Sequence, residues 1–231
     1  LMEHHANIVP WQLLARRRGA VLRYVGITPE GQLDLDEARR LIGPRTKLVS
    51  VVHMSNVLGT INPVSELAEM ARAAGAVVLV DGAQSAPHLP VDVEALGCDF
   101  FALSAHKMLG PTGVGVLWAR AGMLESMEPF LGGGDMIALV RQEESTWADV
   151  PHKFEAGTPN IADVVAFGAA LEYLERLGMG AVRALEVALT AYALELLGSI
   201  EGLTIHGPAR AEVARSAPRA AEARPFPREE T

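Results

Sequence analysis

The sequence predicts an α/β fold, a mostly parallel sheet flanked by helices. Two short apolar runs carry much of that prediction. Residues 77–80 (VVLV) and 100–103 (FFAL) are unbroken by charge and rich in strand formers, as buried parallel strands are. Each run stops at chemistry, the first at Asp81 and the second at Ser104-Ala105-His106-Lys107. Helical segments alternate with such runs, which is the βαβ signature of a parallel sheet.

In chain order, Glu3-His4-His5-Ala6-Asn7 precedes Ile8-Val9-Pro10-Trp11. Pro10 suits a helical first turn, and the helical pattern of 11–18 ends at Gly19. Two adjacent histidines ordinarily mean a polar loop; an imidazole stacked on a flat aromatic cofactor is the sharper reading. Residues 20–25 read as a strand, and Thr28-Pro29-Glu30-Gly31 is turn chemistry. Asp34 caps a helix to about Ile42, with Glu37 as its capping-box partner and Gly43-Pro44 as the stop. A strand over 48–52 delivers His53-Met54-Ser55-Asn56 at its end. An asparagine there is ordinarily a turn former, and a ligand contact is the minority reading. A helix from Pro63-Val64 to about Ala74, stopped by Gly75, leads into the run that ends at Asp81, with Gln84 three residues on. The Gly-rich stretch Gly110-Pro111-Thr112-Gly113-Val114-Gly115 lacks the Gly-Lys-Ser/Thr ending of a nucleotide loop and precedes a strand at 116–118. A short helix over 123–127 follows. Residues 131–135 and 141–149 form a long irregular region closed by Phe154-Glu155-Ala156-Gly157-Thr158-Pro159-Asn160, and long ordered loops are usually functional. Helices over 161–177 and 181–197 flank a Gly178-Met179-Gly180 break, and 203–205 is a short strand. From Ala209 the composition turns to Ala, Arg, Glu and Pro, from which neither a strand nor an amphipathic helix can be built. The domain reading is therefore a large domain over 1–160, a helical segment over 161–208 leading into a second domain, and a disordered or out-of-frame tail over 209–231.

With 231 residues, 49% of them hydrophobic, the chain can bury a sizeable core. A formal charge of −8 without a basic run argues against nucleic-acid and anionic-membrane partners. No apolar stretch reaches membrane-spanning length, so a cytoplasmic protein is the default expectation. The single cysteine, Cys98, excludes an internal disulfide and a multi-cysteine metal site, and no metal is expected. Cys98 lies just before an apolar run with nothing nearby to lower its pKa, so it reads as a small core residue.

Ligands of open α/β sheets bind beyond the carboxyl ends of the strands. Asp81 and Lys107 should therefore share one rim. Alone, Asp81 is a helix cap or loop carboxylate and Lys107 a surface lysine. Together they suit pyridoxal phosphate (PLP), which needs a lysine to hold its aldehyde and a carboxylate to keep its ring nitrogen protonated.

The chain also resembles the cysteine desulfurases of the SUF-system type, within the class V aminotransferase family of fold-type I PLP-dependent transferases. The matching stretches are MEHHANIVPW (2–11), HMSNVLGT (53–60), VDGAQ (80–84), SAHKMLGPTGVG (104–115), GGGDMI (132–137) and FEAGTPN (154–160). They span nearly all of residues 1–208. The resemblance implies that His4 stacks on the cofactor ring and Asp81 partners its pyridine nitrogen. It implies that Gln84 meets the phenolic oxygen, Ser104 and His106 hold the phosphate, and Lys107 is the covalent lysine. Asn56 matches a substrate- and cofactor-side asparagine, and Thr158 a phosphate contact given across a homodimer interface. The implied reaction turns L-cysteine into L-alanine and passes sulfur, as a persulfide, to an acceptor protein of the SUF system for iron–sulfur cluster assembly. The thiolate and the substrate-clamping arginine of such enzymes come from a C-terminal part with no counterpart here, and the N-terminal phosphate-side segment is also missing. The expectation is thus a fragment, inactive by itself. The same residues would serve a selenocysteine lyase, an aminotransferase or an epimerase, and a non-catalytic pseudogene product is the reading from another class.

Overall fold

The computed structural model describes residues 1–211. The part of the tail reading that falls on 212–231 lies outside the described residues. The main sheet has four strands in the order β1 (Leu48–Val52), β2 (Val77–Asp81), β3 (Phe100–Ser104) and β4 (Gly115–Ala119). β1, β2 and β3 run parallel, and β4 returns antiparallel to β3. β1 and β2 are joined through α3 (Val64–Ala73), and β2 and β3 through the short α4 (Val93–Leu96).

Local chemistry explains these elements. α1 (Val9–Arg18) starts with Pro10 in its first turn and stops at Gly19, whose φ of 66° is the left-handed cap that glycine adopts without strain. α2 (Leu35–Leu41) is capped by Asp34, which accepts from the Glu37 N–H at 2.8 Å. The reciprocal half of the capping box is not made. The Glu37 carboxylate instead accepts from the Gly26 N–H at 2.5 Å and ties the preceding loop to the helix. α3 buries Val64, Leu67, Ala68 and Ala71 at helical spacing. These pack with Val51, Val78, Val80 and Phe101 in one core cluster, which Ala38, Cys98, Phe167 and Leu174 complete. The short α5 (Ala121–Ser126) follows β4. Phe167 and Leu174 lie on α6 (Ile161–Leu177), capped by Asn160; α7 (Met179–Gly198) follows it and has no buried residue.

Three expectations fail. Residues 20–25 form no strand, and only a lone bridge from Ile27 to Leu33 occurs nearby. Val21 is 74% exposed there, and of this segment only Val25 packs against the core. Residues 203–205 are likewise irregular. The region expected to be irregular holds a two-stranded hairpin, β5 (Ile137–Val140) with β6 (Ser145–Trp147), closed by the Arg141 N–H donating to the Glu144 carbonyl at 2.9 Å.

Gly82, just past β2, is fixed by packing rather than by turn geometry. A Cβ there would lie 2.0 Å from Cζ of the buried Phe101 ring. We expect Gly82→Ala to lower stability by at least the ~1–3 kcal/mol of an overpacked core, read as a lower urea midpoint, and Gly122→Ala, at an exposed helical position with open space around it, to cost nothing.

Candidate active site

The parallel register sets the rim. Val52, Asp81 and Ala102 stand side by side across β1, β2 and β3. Pairing continues one residue further on each side of Asp81. The His53 N–H donates to the Asp81 carbonyl at 2.9 Å, and the Gly82 N–H to the Ala102 carbonyl at 2.8 Å. Asp81 is thus the last residue of β2, while β3 runs on to Ser104 and enters the 3₁₀ turn Ala105–Lys107. This turn is tightly built. The Ala105 N–H donates to Val114 O, and the Met108 and Gly110 N–H groups donate to Ala105 O. A Cβ on Gly110 would meet Phe167 and Ala105 O within 3 Å, and one on Gly115 would meet Leu103 O.

The side chains expected to line this rim are held in part and free in part. Asp81 Oδ1 accepts from the Ala83 N–H at 3.0 Å. Lys107 and Gln84 are half-buried, and His4, Asn56, His106 and Thr158 are exposed. Among the described residues, no side-chain hydrogen bond or ion pair engages the Lys107 amine, the Gln84 and Asn56 amides, the His106 ring or the Thr158 hydroxyl. His4 Nδ1 accepts from the Ala6 N–H at 3.2 Å, capping its own 3₁₀ turn. Asn56 lies in a loop whose base is tied by Ser55 Oγ accepting from the Val57 and Leu58 N–H groups. Thr158 follows Gly157, whose N–H donates to Gly134 O and joins the two irregular stretches. It stands just before α6 and is not buried beside Lys107.

Other residues at the strand ends were given no role by the sequence. The Glu3 carboxylate accepts from the Asn7 side chain at 2.6 Å and from the Val52 N–H at 2.9 Å. Asn7 Oδ1 in turn accepts from Trp11 Nε1 at 2.9 Å and Ser50 Oγ at 2.5 Å. Burial pushes the Glu3 carboxyl up, and the Asp81 charge adds to that push against its hydrogen bonds. His53, just past β1, is only 8% exposed, its Nδ1 has no partner among the described residues, and burial pushes its pKa down to about 4. The only sequence signal for these contacts was polar residues beside the strand ends, since the partners lie up to 49 positions apart.

Cys98 is fully buried at the amino end of β3, and its thiol donates to Val93 O at 3.7 Å. Burial raises its pKa, which disfavours the reactive thiolate.

The His53 shift carries a pH signature. A histidine depressed in the folded state stabilises the fold above its ordinary pKa of 6.5 and loses that contribution as pH falls toward 4. About 2.5 pK units correspond to roughly 3 kcal/mol. Urea titrations from pH 7.5 to 4 should therefore show His53→Gln losing less stability on acidification than the parent chain.

The aminotransferase class-V family matches residues 1–218. A cysteine desulfurase of Haloferax volcanii is 53% identical over 207 residues, covering 90% of this chain and 49% of that protein. One of Klebsiella pneumoniae is 51% identical over 210 residues, covering 90% and 52%. The apo structure of a cysteine desulfurase from Thermococcus onnurineus superposes with a TM-score of 0.87 at 40% identity, over 91% of this chain and 52% of that one. The chain spans about half the length of the curated relatives it matches. With a family match over more than nine-tenths of its length and a strand-end site to go with it, the chain belongs to the aminotransferase class-V family.

Proposed function

We propose that this chain is the cofactor-holding part of a PLP-dependent cysteine desulfurase. That enzyme converts L-cysteine to L-alanine and passes sulfur, as a persulfide, to an acceptor protein for iron–sulfur cluster assembly. The observation that carries the reading is one rim shared by a carboxylate and an unengaged amine, Asp81 and Lys107, at the carboxyl ends of adjacent parallel strands. The names of relatives at about 50% identity support the choice of cysteine as substrate.

The residues present fit PLP. Asp81 keeps one carboxylate oxygen beyond the one held by Ala83, and it is the group to hold the proton of the ring nitrogen. The Lys107 amine is the group to hold the aldehyde and to move a proton at the substrate Cα. Gln84 would donate to the phenolic oxygen, and Ser104 and His106 would take the phosphate. His4 would cover the ring and Asn56 would face the substrate. Thr158, exposed before α6, would reach the phosphate of a second subunit in a homodimer. When bound, the cofactor supplies an electron sink for the Cα–H bond.

Sulfur transfer needs a thiolate within attacking reach of the substrate. The sequence holds one thiol, and β3 separates it from the rim. The five residues of β3, at a rise of roughly 3.3 Å each, put about 16 Å or more between Cys98 and the Lys107 turn. A cytoplasmic setting completes the proposal.

Incubating the 231-residue chain with PLP, reducing with borohydride and mapping by mass spectrometry should place the adduct on Lys107. Lys107→Ala should abolish it. An adduct spread over surface lysines would defeat the cofactor reading. Given cysteine, the same chain should release no sulfide; turnover at the rate of a full-length relative, abolished by Cys98→Ser, would mean that the thiol has been misplaced.

A further inference from the structure

His4 and His5 sit on a turn that has little packing of its own. His4, His5 and Ala6 are exposed, and the turn is a single 3₁₀ stretch, His5–Asn7. What fixes it is polar. Glu3 on one side and Asn7 on the other are bonded to each other, and each also reaches β1, Glu3 through the Val52 N–H and Asn7 through Ser50 Oγ. The Val52 contact falls on the free edge of β1, the outermost strand of the sheet, and the Ser50 contact is to that strand's side chain. The Val52 carbonyl on that edge accepts from Asn62 Nδ2 at 2.8 Å, so both polar groups of Val52 are used away from β2. Val52 is the register partner of Asp81, which places the Glu3 clamp one strand away from the proposed ring-nitrogen partner.

We propose that Glu3 is a positioning residue of this site, clamping the His4–His5 turn to the outer edge of β1 so that His4 is presented at the rim. The proposal rests on the cofactor reading above. A carboxylate is needed there because it accepts from two donors at once, a backbone N–H and an amide NH₂. A glutamine of the same shape turns an NH₂ toward Asn7, which must flip and give up its bonds from Trp11 and Ser50. Burying a carboxylate costs stability, and burial has already pushed Glu3 up. A residue kept only for stability would be better served by an uncharged side chain.

The test uses the 231-residue chain with Glu3→Gln, His4→Ala and the double variant. PLP affinity is read from the visible circular dichroism of the bound cofactor, and hydrogen exchange is followed over residues 4–7. Glu3→Gln should keep its far-ultraviolet spectrum, bind PLP about tenfold more weakly and exchange faster over 4–7. Because Glu3 acts through His4, the double variant should bind no worse than His4→Ala alone. Parent-like affinity or exchange in Glu3→Gln, or additive losses in the double variant, would overturn the positioning role and leave the cofactor reading intact. A parent chain that binds no PLP would overturn both.

Discussion

Asp81 stands opposite Ala102 in the parallel pairing of β2 with β3, and most of the site follows from that register. Parallel strands expose their carboxyl ends on the same side, so a residue that ends β2 and a turn that follows β3 face one crevice. β3 runs two residues past Asp81, to Ser104, before it turns. A slip of one residue would move Val78 and Val80, 2% and 0% exposed, out of the core and would swing Asp81 to the other face. Core packing and site geometry therefore specify the same pairing. The antiparallel return of β4, with Ser104 opposite Gly115, closes the loop that carries Lys107 at its base. Gly110 and Gly115 let that loop approach Phe167 and Leu103 more closely than any side chain would allow.

Much of this was legible in the sequence because it is encoded locally. The runs ending at Asp81 and Ser104, the cap at Asp34 and the stop at Gly19 each announce themselves within a few residues. The errors have separate physical causes. Residues 20–25 have strand composition but no neighbouring strand, and a strand without a ladder is not a strand. The hairpin of β5 and β6 was missed because its turn, Arg141-Gln142-Glu143-Glu144, has none of the glycine or asparagine that marks a tight hairpin. Glu37 had the spacing of a capping box, yet Gly26, eleven residues away, offered its N–H and took the carboxylate.

The site divides in the same way. The strand-end residues Asp81, Ser104 and Lys107 could be picked out from the runs before them. Glu3, Asn7 and His53 could not be assigned roles, because their environments depend on β1 being folded against the amino-terminal segment. Asn7 meets Ser50 across 43 positions and Glu3 meets Val52 across 49. No pattern within a helix or strand period reports such pairs. The segment EHHAN thus has two layers: exposed histidines facing outward, and inward Glu3 and Asn7 that tie the turn to β1.

The end of β1 is also where titratable groups leave water. Burial moves Glu3 up and His53 down, so both shifts favour the uncharged form. Their consequences for stability are opposite. His53 stabilises the fold above pH 6.5 and loses that contribution on the way down to about 4. Glu3 contributes below its ordinary value of 4.5 and loses that contribution as pH rises through its raised pKa. Above pH 6.5, then, His53 rests in its favoured state, whereas burial works against the charged form of Glu3. What holds it is the pair of donors it satisfies, Val52 and Asn7. Loss of either donor would leave a buried carboxylate short of partners, and the cheapest response is to take up a proton and release the edge of β1. The clamp on the histidine turn is therefore strongest only while the strand end beneath it stays formed, which couples the order of the His4 loop to the integrity of the strand next to Asp81.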